Sequence, residues 1–340
     1  MASQRPHHNT IDDVARRAGV SISTVSRVIN RNVPVSEEVV ARVQAAMAEL
    51  KYAPRSAARN LASRKTNTLG LLLTDIRGDF FAPLLSGVEA ATSELGLDLL
   101  ISTSGRREPR SEFPRTLGPH NTDGLLIFTD SLGKLGIEHC LELAFPIVLI
   151  HQSMPHTMGI PCVTVENKAA SRKIVEHLIA VHGRRQIVFL RGPQGNEDSY
   201  WREVGYQDAL ESHDITVDPR LVAWGDFDRT VAGHSIDELL RLGIEFDAVF
   251  AGDDEAAVGV LMALQAAGKR VPEDIAVVAF DDQRFSAYLN PPLTTVRSPT
   301  ERVGYEAAQQ LVRLIRMGQA DLLTLLPTEL VIRRSCGCQA

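Results

Sequence analysis

The stretch 10–30 carries hydroxyl, amide, aliphatic and cationic side chains whose types and helical spacing could form one binding surface. On a helix that begins after Ser21, residues lie about 100° apart around the axis, so small, polar and cationic side chains fall on one arc. That arc and its cap consist of Ser21, Ile22, Ser23, Ser26, Arg27 and Asn30. Hydroxyl and amide groups hydrogen-bond to base edges, an aliphatic chain contacts a thymine methyl group, and arginine bridges guanine or phosphate. We predict a major-groove reader here, and the alternative is a small three-helix domain with one polar face.

A second set of candidate residues follows short apolar runs further along the chain. The runs occupy residues 69–73, 97–101, 124–128, 146–150, 162–165, 187–190, 248–251 and 275–280. Apolar runs that alternate with helical segments predict parallel sheets covered by helices, and such sheets bind ligands at the carboxyl ends of their strands. Candidates near these ends are Asp75, Phe80, Phe81, His151, Arg202, Asp253, Asp254, Asp281 and Asp282.

Carboxylates, an arginine and aromatic rings together suit a polyhydroxylated ring. Its hydroxyls need hydrogen-bond donors and acceptors, while its C–H face stacks on apolar surface. We therefore predict a sugar or sugar derivative as the ligand. Simpler explanations remain open, because an Asp after a strand often caps the next helix, and Phe80 and Phe81 can be core residues.

The helices that position the DNA-reading arc follow from capping signals. Thr10 and Asp13 have the spacing of a capping box, and Gly19 should end the first helix. The second helix should turn an apolar arc inward, made of Val25, Val28 and Ile29. A third helix repeats apolar residues with helical spacing at Val40, Val43, Met47 and Leu50. We expect these helices to enclose the core of an all-α head.

Charge is divided unevenly along the chain. The 340 residues have a formal net charge of −6, but residues 1–65 contain 11 Lys and Arg against 5 Asp and Glu, so they carry +6 and the remainder carries −12. A basic segment binds phosphate through counterion release, whereas an acidic one is repelled. DNA should therefore contact the N-terminal end alone.

The apolar runs and the cysteines limit where the protein can be located and which cofactors it can hold. No run approaches the roughly 18 residues of a membrane span, and the first ten residues lack the core of a signal peptide. We expect a cytoplasmic, nucleoid-associated protein with no membrane partner.

Cys140 and Cys162 lie among apolar residues and should be buried thiols. The Cys-x-Cys pair Cys336 and Cys338 could bind metal or oxidise, but no second Cys or His pair at zinc-site spacing lies nearby in sequence, so we expect an exposed passive tail, no metal and no cofactor.

Residues 55–65 are rich in alanine and arginine, and so short a helix would be marginal in water unless docked. Leu61 suits either a minor-groove wedge or an incidental place in a linker. The helix pair, Tyr52-Ala-Pro54 and the segment 55–61 together resemble the N-terminal part of the LacI/GalR family of transcriptional regulators. The resemblance implies a hinge helix at about 55–64, with Leu61 as the wedge and Ala58 as the small residue where two hinge helices meet. It gives the DNA-binding hinge residues Arg55, Ala58 and Leu61.

The resemblance extends along the chain through blocks at 252–259, 277–282, 291–296 and 327–332. It implies an all-α helix-turn-helix head at 1–65 and a two-lobed α/β body at 66–340 with the fold of periplasmic sugar-binding proteins. The implied N-lobe spans about 66–165 plus 297–326, and the C-lobe about 166–296 plus 327–340. Matching positions imply effector binding by Arg202, Phe227, Asp253 and Asp281. Our candidates after strands add Asp75, Phe81 and His151.

Two positions and one segment depart from the family pattern. Asp253 stands where Asn is usual, which removes an amide donor and favours a ligand that donates hydrogen bonds. His151 stands where Asp is common. The segment 109–119 contains three prolines and a glycine where a continuous helix is usual, and proline interrupts helices. The identity of the effector therefore does not transfer from the family.

These features predict a homodimeric repressor whose affinity for a pseudo-palindromic operator changes when a small molecule binds between the lobes. We favour a dimer because the leucine-heptad tail of tetrameric members is missing. One alternative is control by a protein corepressor. Another is an enzyme acting on a carbohydrate, with His151, Arg202 and the aspartates in acid–base roles. We expect no catalytic residues, because nucleophile elbow, P-loop and metal-ligand motifs are missing.

Overall fold

The computed structural model describes residues 9–30, 34–52, 65–105 and 116–339, and the chain divides into two compact units, Met1–Thr66 and Asn67–Ala340. The described helices of the first unit are α1 (Ile11–Ala18), α2 (Ile22–Asn30) and α3 (Glu37–Glu49). Thr10 and Asp13 form the predicted capping box, and the Thr10 amide donates to the Asp13 carboxylate at 2.8 Å. Gly19 ends α1 at φ 66°, in the left-handed region where glycine is favoured. Both predictions are confirmed.

A small apolar core joins these three helices. Its buried members are Val14, Ala15, Ala18, Val25, Val43 and Ala46. The predicted Val28, Ile29, Met47 and Leu50 pack against it. Val39 takes the place predicted for Val40, because Val39 and Val43 are four residues apart and share one face of α3.

Strands in the described part of the second unit form two six-stranded sheets. The first sheet contains β1 (Thr68–Leu73), β2 (Asp98–Thr103), β3 (Gly124–Phe128), β4 (Ile147–Ile150), β5 (Cys162–Val165) and β11 (Leu323–Leu326). The second sheet contains β6 (Ile187–Arg191), β7 (Val222–Trp224), β8 (Ala248–Ala251), β9 (Ala276–Asp281), β10 (Thr294–Arg297) and β12 (Glu329–Val331). The strand orders are β11-β5-β4-β3-β1-β2 and β12-β10-β9-β8-β6-β7.

Helices cover both sheets. The described helices of this unit are α4 (Phe81–Glu94), α5 (Lys134–Glu142), α6 (Asn167–His182), α7 (Glu197–Glu211), α8 (Arg229–Arg241), α9 (Asp254–Ala266) and α10 (Thr300–Met317). Helices α4 and α10 cross so closely that a Cβ on Gly87 would lie 1.8 Å from the Glu301 carbonyl oxygen. Along the described chain, the backbone passes between the sheets after β5, after β10 and after β11.

Each predicted apolar run coincides with a strand, namely β1 to β6, β8 and β9. The strands that were not predicted, β7, β10, β11 and β12, are three or four residues long and include polar or half-exposed residues, so they form no continuous apolar run. Strand β12 runs antiparallel to β10, whereas the other described pairings are parallel. An all-parallel expectation is therefore wrong at this edge, where mixed sheets commonly place an antiparallel strand.

Two of the four cysteines are buried as predicted, whereas the exposed tail predicted for the other two is wrong. Cys140 and Cys162 are buried, and burial raises the pKa of each thiol to about 12. The expectation of an exposed passive tail is wrong, because Cys336 is fully buried against the core of the second unit. The C-terminal segment is held there by hydrogen bonds, including one of 2.6 Å from Ser335 Oγ to the Val277 carbonyl.

No helix within the described residues has the length and apolar character needed to cross a membrane.

Residues 116–119 of the proline-containing segment 109–119 are described. Leu117 is buried in an apolar cluster together with side chains of the first sheet. Residues 109–115 lie outside the described residues.

Candidate functional site

Helix α2 presents the predicted DNA-reading arc on the surface of the first unit. Ser21 Oγ accepts a 3.2 Å hydrogen bond from the Thr24 amide, so Ser21 caps the helix as predicted. The exposed members of the arc are Ser21, Ile22, Ser23 and Arg27. Ser26 is half-buried, and the side chain of Asn30 lies outside the described residues. Ile22 is 48% exposed, which is unfavourable for an aliphatic chain in water but suits contact with a thymine methyl group.

Tyr52, which precedes the predicted hinge, packs against the core of the head. The hinge residues Arg55, Ala58 and Leu61 lie outside the described residues. Their contacts with DNA stay a prediction.

In the second unit, the candidate residues gather at the carboxyl ends of the two sheets. On the first sheet, Asp75 follows β1, Phe128 ends β3 and His151 follows β4. On the second sheet, Phe227 follows β7, Asp253 follows β8 and Asp281 ends β9. Parallel strands end at the same edge, so residues distant in sequence meet there.

Arg202 joins the polar groups of the second sheet. Its side chain, on α7, is buried, and its guanidinium lies 3.8 Å from the centre of the Phe280 ring. It donates to the Asn167 carboxamide oxygen at 2.9 Å, to the Gly252 carbonyl at 2.6 Å and to Asp281 at 3.4 Å. A buried cation is tolerated only when paired and hydrogen-bonded, and these contacts supply both conditions.

Three buried carboxyl groups near Arg202, those of Asp253, Asp254 and Asp281, have raised pKa values. Burial raises the pKa of Asp281 despite the opposing effect of Arg202. Burial and the neighbouring Asp281 carboxylate raise the pKa of Asp253 well above its ordinary value. Burial and Asp281 likewise raise the pKa of Asp254 to about 7. A carboxyl group that keeps its proton offers both a donor and an acceptor, so this cluster can hydrogen-bond a hydroxyl in either direction.

Asp253 and Asp254 also have structural roles. Asp253 accepts a 2.8 Å hydrogen bond from the Ala256 amide and caps α9, which is the simpler explanation weighed for an Asp after a strand. Asp254 accepts hydrogen bonds from the Gln283 amide at 2.7 Å and from Thr295 Oγ1 at 2.7 Å. These contacts fix the loop after β9 that carries Asp281 near Arg202.

His151 pairs with a carboxylate of α7, the helix that follows β6 of the second sheet. Its Nδ1 lies 2.9 Å from Oδ2 of buried Asp198, which also accepts from the Asn167 carboxamide at 2.7 Å. Burial raises the pKa of Asp198, but His151, Arg202 and the hydrogen bond from Asn167 together outweigh it, and the net shift is downward. His151 Nε2 is buried and has no hydrogen-bond partner among the described residues, so it is available to a ligand hydroxyl.

Aromatic rings line the part of the cleft next to His151. Phe128 lies 5.7 Å from the His151 ring and 5.3 Å from Phe81, in edge-to-face arrangements. Phe81 is buried in the core of the first sheet, and Phe80 beside it is half-buried. Phe81 therefore supports this apolar wall from behind, as the core interpretation proposes, while Phe80 is the more accessible ring.

Asp75 and Phe227 differ in how they are held. The Asp75 carboxylate is bound by Arg77, whose Nε lies 2.9 Å from Oδ2, and this pairing keeps the pKa of Asp75 well below its usual range. Phe227 adopts φ 52°, and its guanidinium neighbour Arg202 lies 5.6 Å from the ring centre. The ring lies over Gly192, where a Cβ would come within 2.3 Å of it. Phe227 thus belongs to the Arg202 group.

The N-terminus of α7 connects the second sheet to loops of the first. Asn196 Nδ2 donates to Asp130 at 3.0 Å, and Glu197 accepts from the amide and the hydroxyl of Ser153 at 2.6 and 2.8 Å. Together with the His151–Asp198 pair, these contacts hold the two carboxyl edges against each other. We refer to residues 196–198 and their partners as the interlobe contact.

A cavity of about 540 Å³ lies between α4, the start of α10 and the loop after β9. Residues lining it include Phe80, Asp281, Gln283, Glu301 and Tyr305. Gln283 is buried, and within the described residues neither end of its carboxamide has a hydrogen-bond partner. The cavity therefore combines an aromatic wall with an unsatisfied amide and a carboxyl group.

Asn167, Asp198 and Phe128 were not predicted as site residues. Phe128 is the last residue of a predicted strand, so its place at the carboxyl edge was available from the sequence. Asp198 lies two residues after the helix cap Asn196, and Asn167 is the first residue of α6, two residues after the end of β5. Their importance arises from the crossing between the sheets, which apolar spacing does not reveal.

Comparisons with known proteins agree with this architecture. Residues 10–55 match the model of bacterial regulatory proteins of the lacI family, and residues 175–336 match a periplasmic binding protein-like domain. The chain is 33% identical to the transcriptional regulator CelR of Thermobifida fusca, over 98% of this chain and 99% of that protein. It is 32% identical to the ribose operon repressor of Escherichia coli K12, over 90% of this chain and 93% of the repressor.

Solved structures give the same result. A lac repressor dimer bound to operator and an anti-inducer superposes with a TM-score of 0.80 at 26% identity, over 97% of this chain and 99% of that one. A CelR–cellobiose complex superposes with a TM-score of 0.69 at 32% identity, over 96% and 99% of the two chains. A helix-turn-helix head combined with a two-sheet ligand-binding body defines a class of DNA-binding regulators. The chain belongs to the LacI family of bacterial transcriptional regulators.

Proposed function

We propose that this regulator is a homodimeric repressor whose operator affinity is set by a sugar or sugar derivative bound between the two sheets of the body. The observation that carries the proposal is the buried group of Arg202, Asp253 and Asp281, which contacts through Asn167, Asp198 and His151 connect to the ring of Phe128. Hydroxyls of a sugar would bind the charged group, and its C–H face would lie against the rings. The CelR structure contains cellobiose, and another relative is a ribose operon repressor.

The proposed contacts divide by chemistry. Arg202 would donate to ring or hydroxyl oxygens, and Asp253 and Asp281 would accept from hydroxyls or, when protonated, donate to them. His151 Nε2 would take a further hydroxyl. A strongly anionic ligand is disfavoured, because several buried carboxyl groups already lie near the buried guanidinium of Arg202.

We propose the domain limits given by the sequence as the working division: a head at 1–65, an N-lobe at about 66–165 plus 297–326, and a C-lobe at about 166–296 plus 327–340. Closure of the lobes on ligand would act through the interlobe contact. In a dimer, the two hinge segments at about 55–64 would then move apart or together, which alters how both heads fit an operator. In the cell, the protein would act on the nucleoid.

The ligand proposal is tested with the full chain by isothermal calorimetry against ribose, cellobiose and other mono- and disaccharides. The Asp281→Asn variant should bind the identified sugar about 10- to 100-fold more weakly, because a hydrogen bond to a charged group contributes roughly 1.5–3 kcal/mol. Asp274→Asn is the matched control, since Asp274 pairs with Arg270 on the surface. Equal losses in both variants, or binding by neither the wild type nor its variants, would contradict the proposal.

The hinge proposal has a separate test. Leu61→Ala should weaken operator binding and reduce the bend of the DNA, because an apolar wedge between base steps is what bends the duplex. Electrophoretic mobility of circularly permuted operator fragments measures both quantities. Unchanged affinity and bend would assign Leu61 to an ordinary linker.

A further inference from the structure

Four side chains with metal-ligating atoms meet at the end of α6 that is distant from the ligand cleft. His177 and His182 lie in the last two turns of α6, and Cys336 and Cys338 come from the C-terminal segment. One ligand atom from each of the four lies within 4.8 Å of the others. Two imidazoles and two thiols separated by more than 150 residues in sequence are thus brought to one point.

The distances among His177, His182 and Cys338 match those between ligands of a tetrahedral zinc ion. Zn–N bonds of about 2.0–2.1 Å and Zn–S bonds of about 2.3 Å place tetrahedral N···N pairs roughly 3.3–3.4 Å apart and N···S pairs roughly 3.6 Å apart. The two Nε2 atoms of His177 and His182 lie 3.3 Å apart. Cys338 Sγ lies 3.4 Å from His182 Nε2 and 3.7 Å from His177 Nε2.

The surrounding chain supports this arrangement. Gly337, between the cysteines, has φ 115°, and a Cβ there would lie 2.9 Å from His182 Nδ1, so glycine lets the backbone pass close to the imidazole. Thr294 Oγ1 donates to Cys336 Sγ at 3.2 Å, which is the type of outer hydrogen bond that orients a thiolate ligand. A surface groove of about 810 Å³ borders Cys338 and gives an ion access from solvent.

We propose that His177, His182, Cys336 and Cys338 bind one structural Zn²⁺. Thiolate and imidazole donors in tetrahedral array favour zinc over calcium or magnesium, which prefer oxygen ligands. Binding forms two Zn–S and two Zn–N bonds and releases the two thiol protons to solvent. The protein fills all four positions, so the ion has a structural role and no open site for catalysis.

The bound ion would fasten the C-terminal segment to α6. The first residue of this helix, Asn167, hydrogen-bonds both Arg202 and Asp198 in the ligand cleft. Zinc would therefore stabilise the helix that positions the cleft residues, from its opposite end. This role does not depend on the identity of the sugar or on DNA binding.

The proposal is tested on the untagged full-length protein, purified under reducing conditions, by elemental analysis and by cobalt substitution. We expect about one zinc per chain, as in other four-ligand structural sites. Replacement by Co²⁺ should give a thiolate-to-cobalt charge-transfer band and the intense visible bands of tetrahedral coordination. A chelator should remove the metal and lower the Tm, because the ion binds the folded state.

Cys338→Ser is the principal variant, because Cys338 is partly accessible and its replacement should be tolerated by the fold. It should lose the zinc and the charge-transfer band, whereas Cys140→Ser, at a buried thiol on α5, should keep both. The wild-type cobalt spectrum does not depend on how any variant folds. Wild-type protein without zinc or a cobalt spectrum, zinc retained by Cys338→Ser, or a mass two units lower that reveals a Cys336–Cys338 disulfide would each overturn the proposal.

Discussion

The two carboxyl edges that form the cleft differ sharply in chemistry. The edge of the second sheet gathers buried ionisable groups, Arg202 with Asp253 and Asp281, with the ring of Phe227 beside the guanidinium, whereas at the edge of the first sheet the rings of Phe80, Phe128 and His151 pack together. A sugar has the same two characters, with hydroxyls around its rim and a C–H face. The difference indicates that the second sheet would set the ligand's orientation and the first sheet would supply stacking area.

The largest effect is expected when the charged edge loses its cation. Arg202→Ala leaves Asp281 buried without a partner, which typically costs about 3–5 kcal/mol of unfolding free energy. Ligand affinity should also fall by about 100-fold or more. Denaturant unfolding and calorimetry measure the two effects. Arg270→Ala, which removes a surface partner of Asp274, is the control. It should lower the unfolding free energy by less than about 1 kcal/mol and change ligand affinity by no more than a few-fold.

A smaller effect is expected where the two edges meet at His151 and Asp198. Asp198→Asn keeps the shape of the side chain but removes the charge that faces His151, so it should lower the unfolding free energy by roughly 1–3 kcal/mol. Asp208→Asn, at a more exposed pair with Lys168, should lower it by less than about 1 kcal/mol. If the two substitutions cost the same, the His151–Asp198 pair does not join the edges.

The charged edge should also make stability depend on pH. The pKa of Asp254 is raised to about 7 in the folded chain, so the folded state holds a proton that the unfolded state releases near pH 4. Its stabilising contribution is therefore complete below about pH 4 and is lost as the pH rises towards 7. The Tm of Asp254→Asn should decline less over this interval than that of the wild type. Parallel Tm profiles would show that Asp254 is not the titrating group.

The smallest effect is expected at the accessible part of the interlobe contact. Glu197→Gln weakens the hydrogen bonds to Ser153 while keeping one acceptor, and Ser153 is exposed, so ligand affinity should change by less than about 3-fold. Glu238→Gln, in a surface pair with Arg241, serves as the control in calorimetry. A change of tenfold or more would mean that closure depends on Glu197 more than on the cleft residues.

Sequence patterns predicted what local physics determines. The capping box at Thr10, the turn at Gly19 and the strands made of uninterrupted apolar runs follow from spacing alone, and the structure has them in place. Positions such as Asp253 and Asp281 were predicted because they follow strands. The short strand β10, with two threonines and an arginine among its four residues, gave no comparable signal.

What could not be predicted depends on contacts between distant segments. Asn167 and Asp198 are 31 residues apart and meet because the chain crosses between sheets at β5. The tail cysteines were interpreted without His177 and His182, which lie more than 150 residues earlier, although a His-x₄-His pair at the end of a helix was visible in the sequence. Side chains that assemble across such distances need the fold before their chemistry can be inferred.

The main prediction is that occupancy of the cleft controls the affinity of the head for operator DNA. It is tested most directly by fluorescence anisotropy of a labelled operator titrated with the full chain, with and without saturating sugar, for wild type and Asp281→Asn. Adding sugar to the wild type should change operator affinity 5- to 150-fold, which is roughly the range of allosteric coupling, and should change it little in the variant. A sugar that binds the wild type at the cleft but leaves operator affinity unchanged would contradict it.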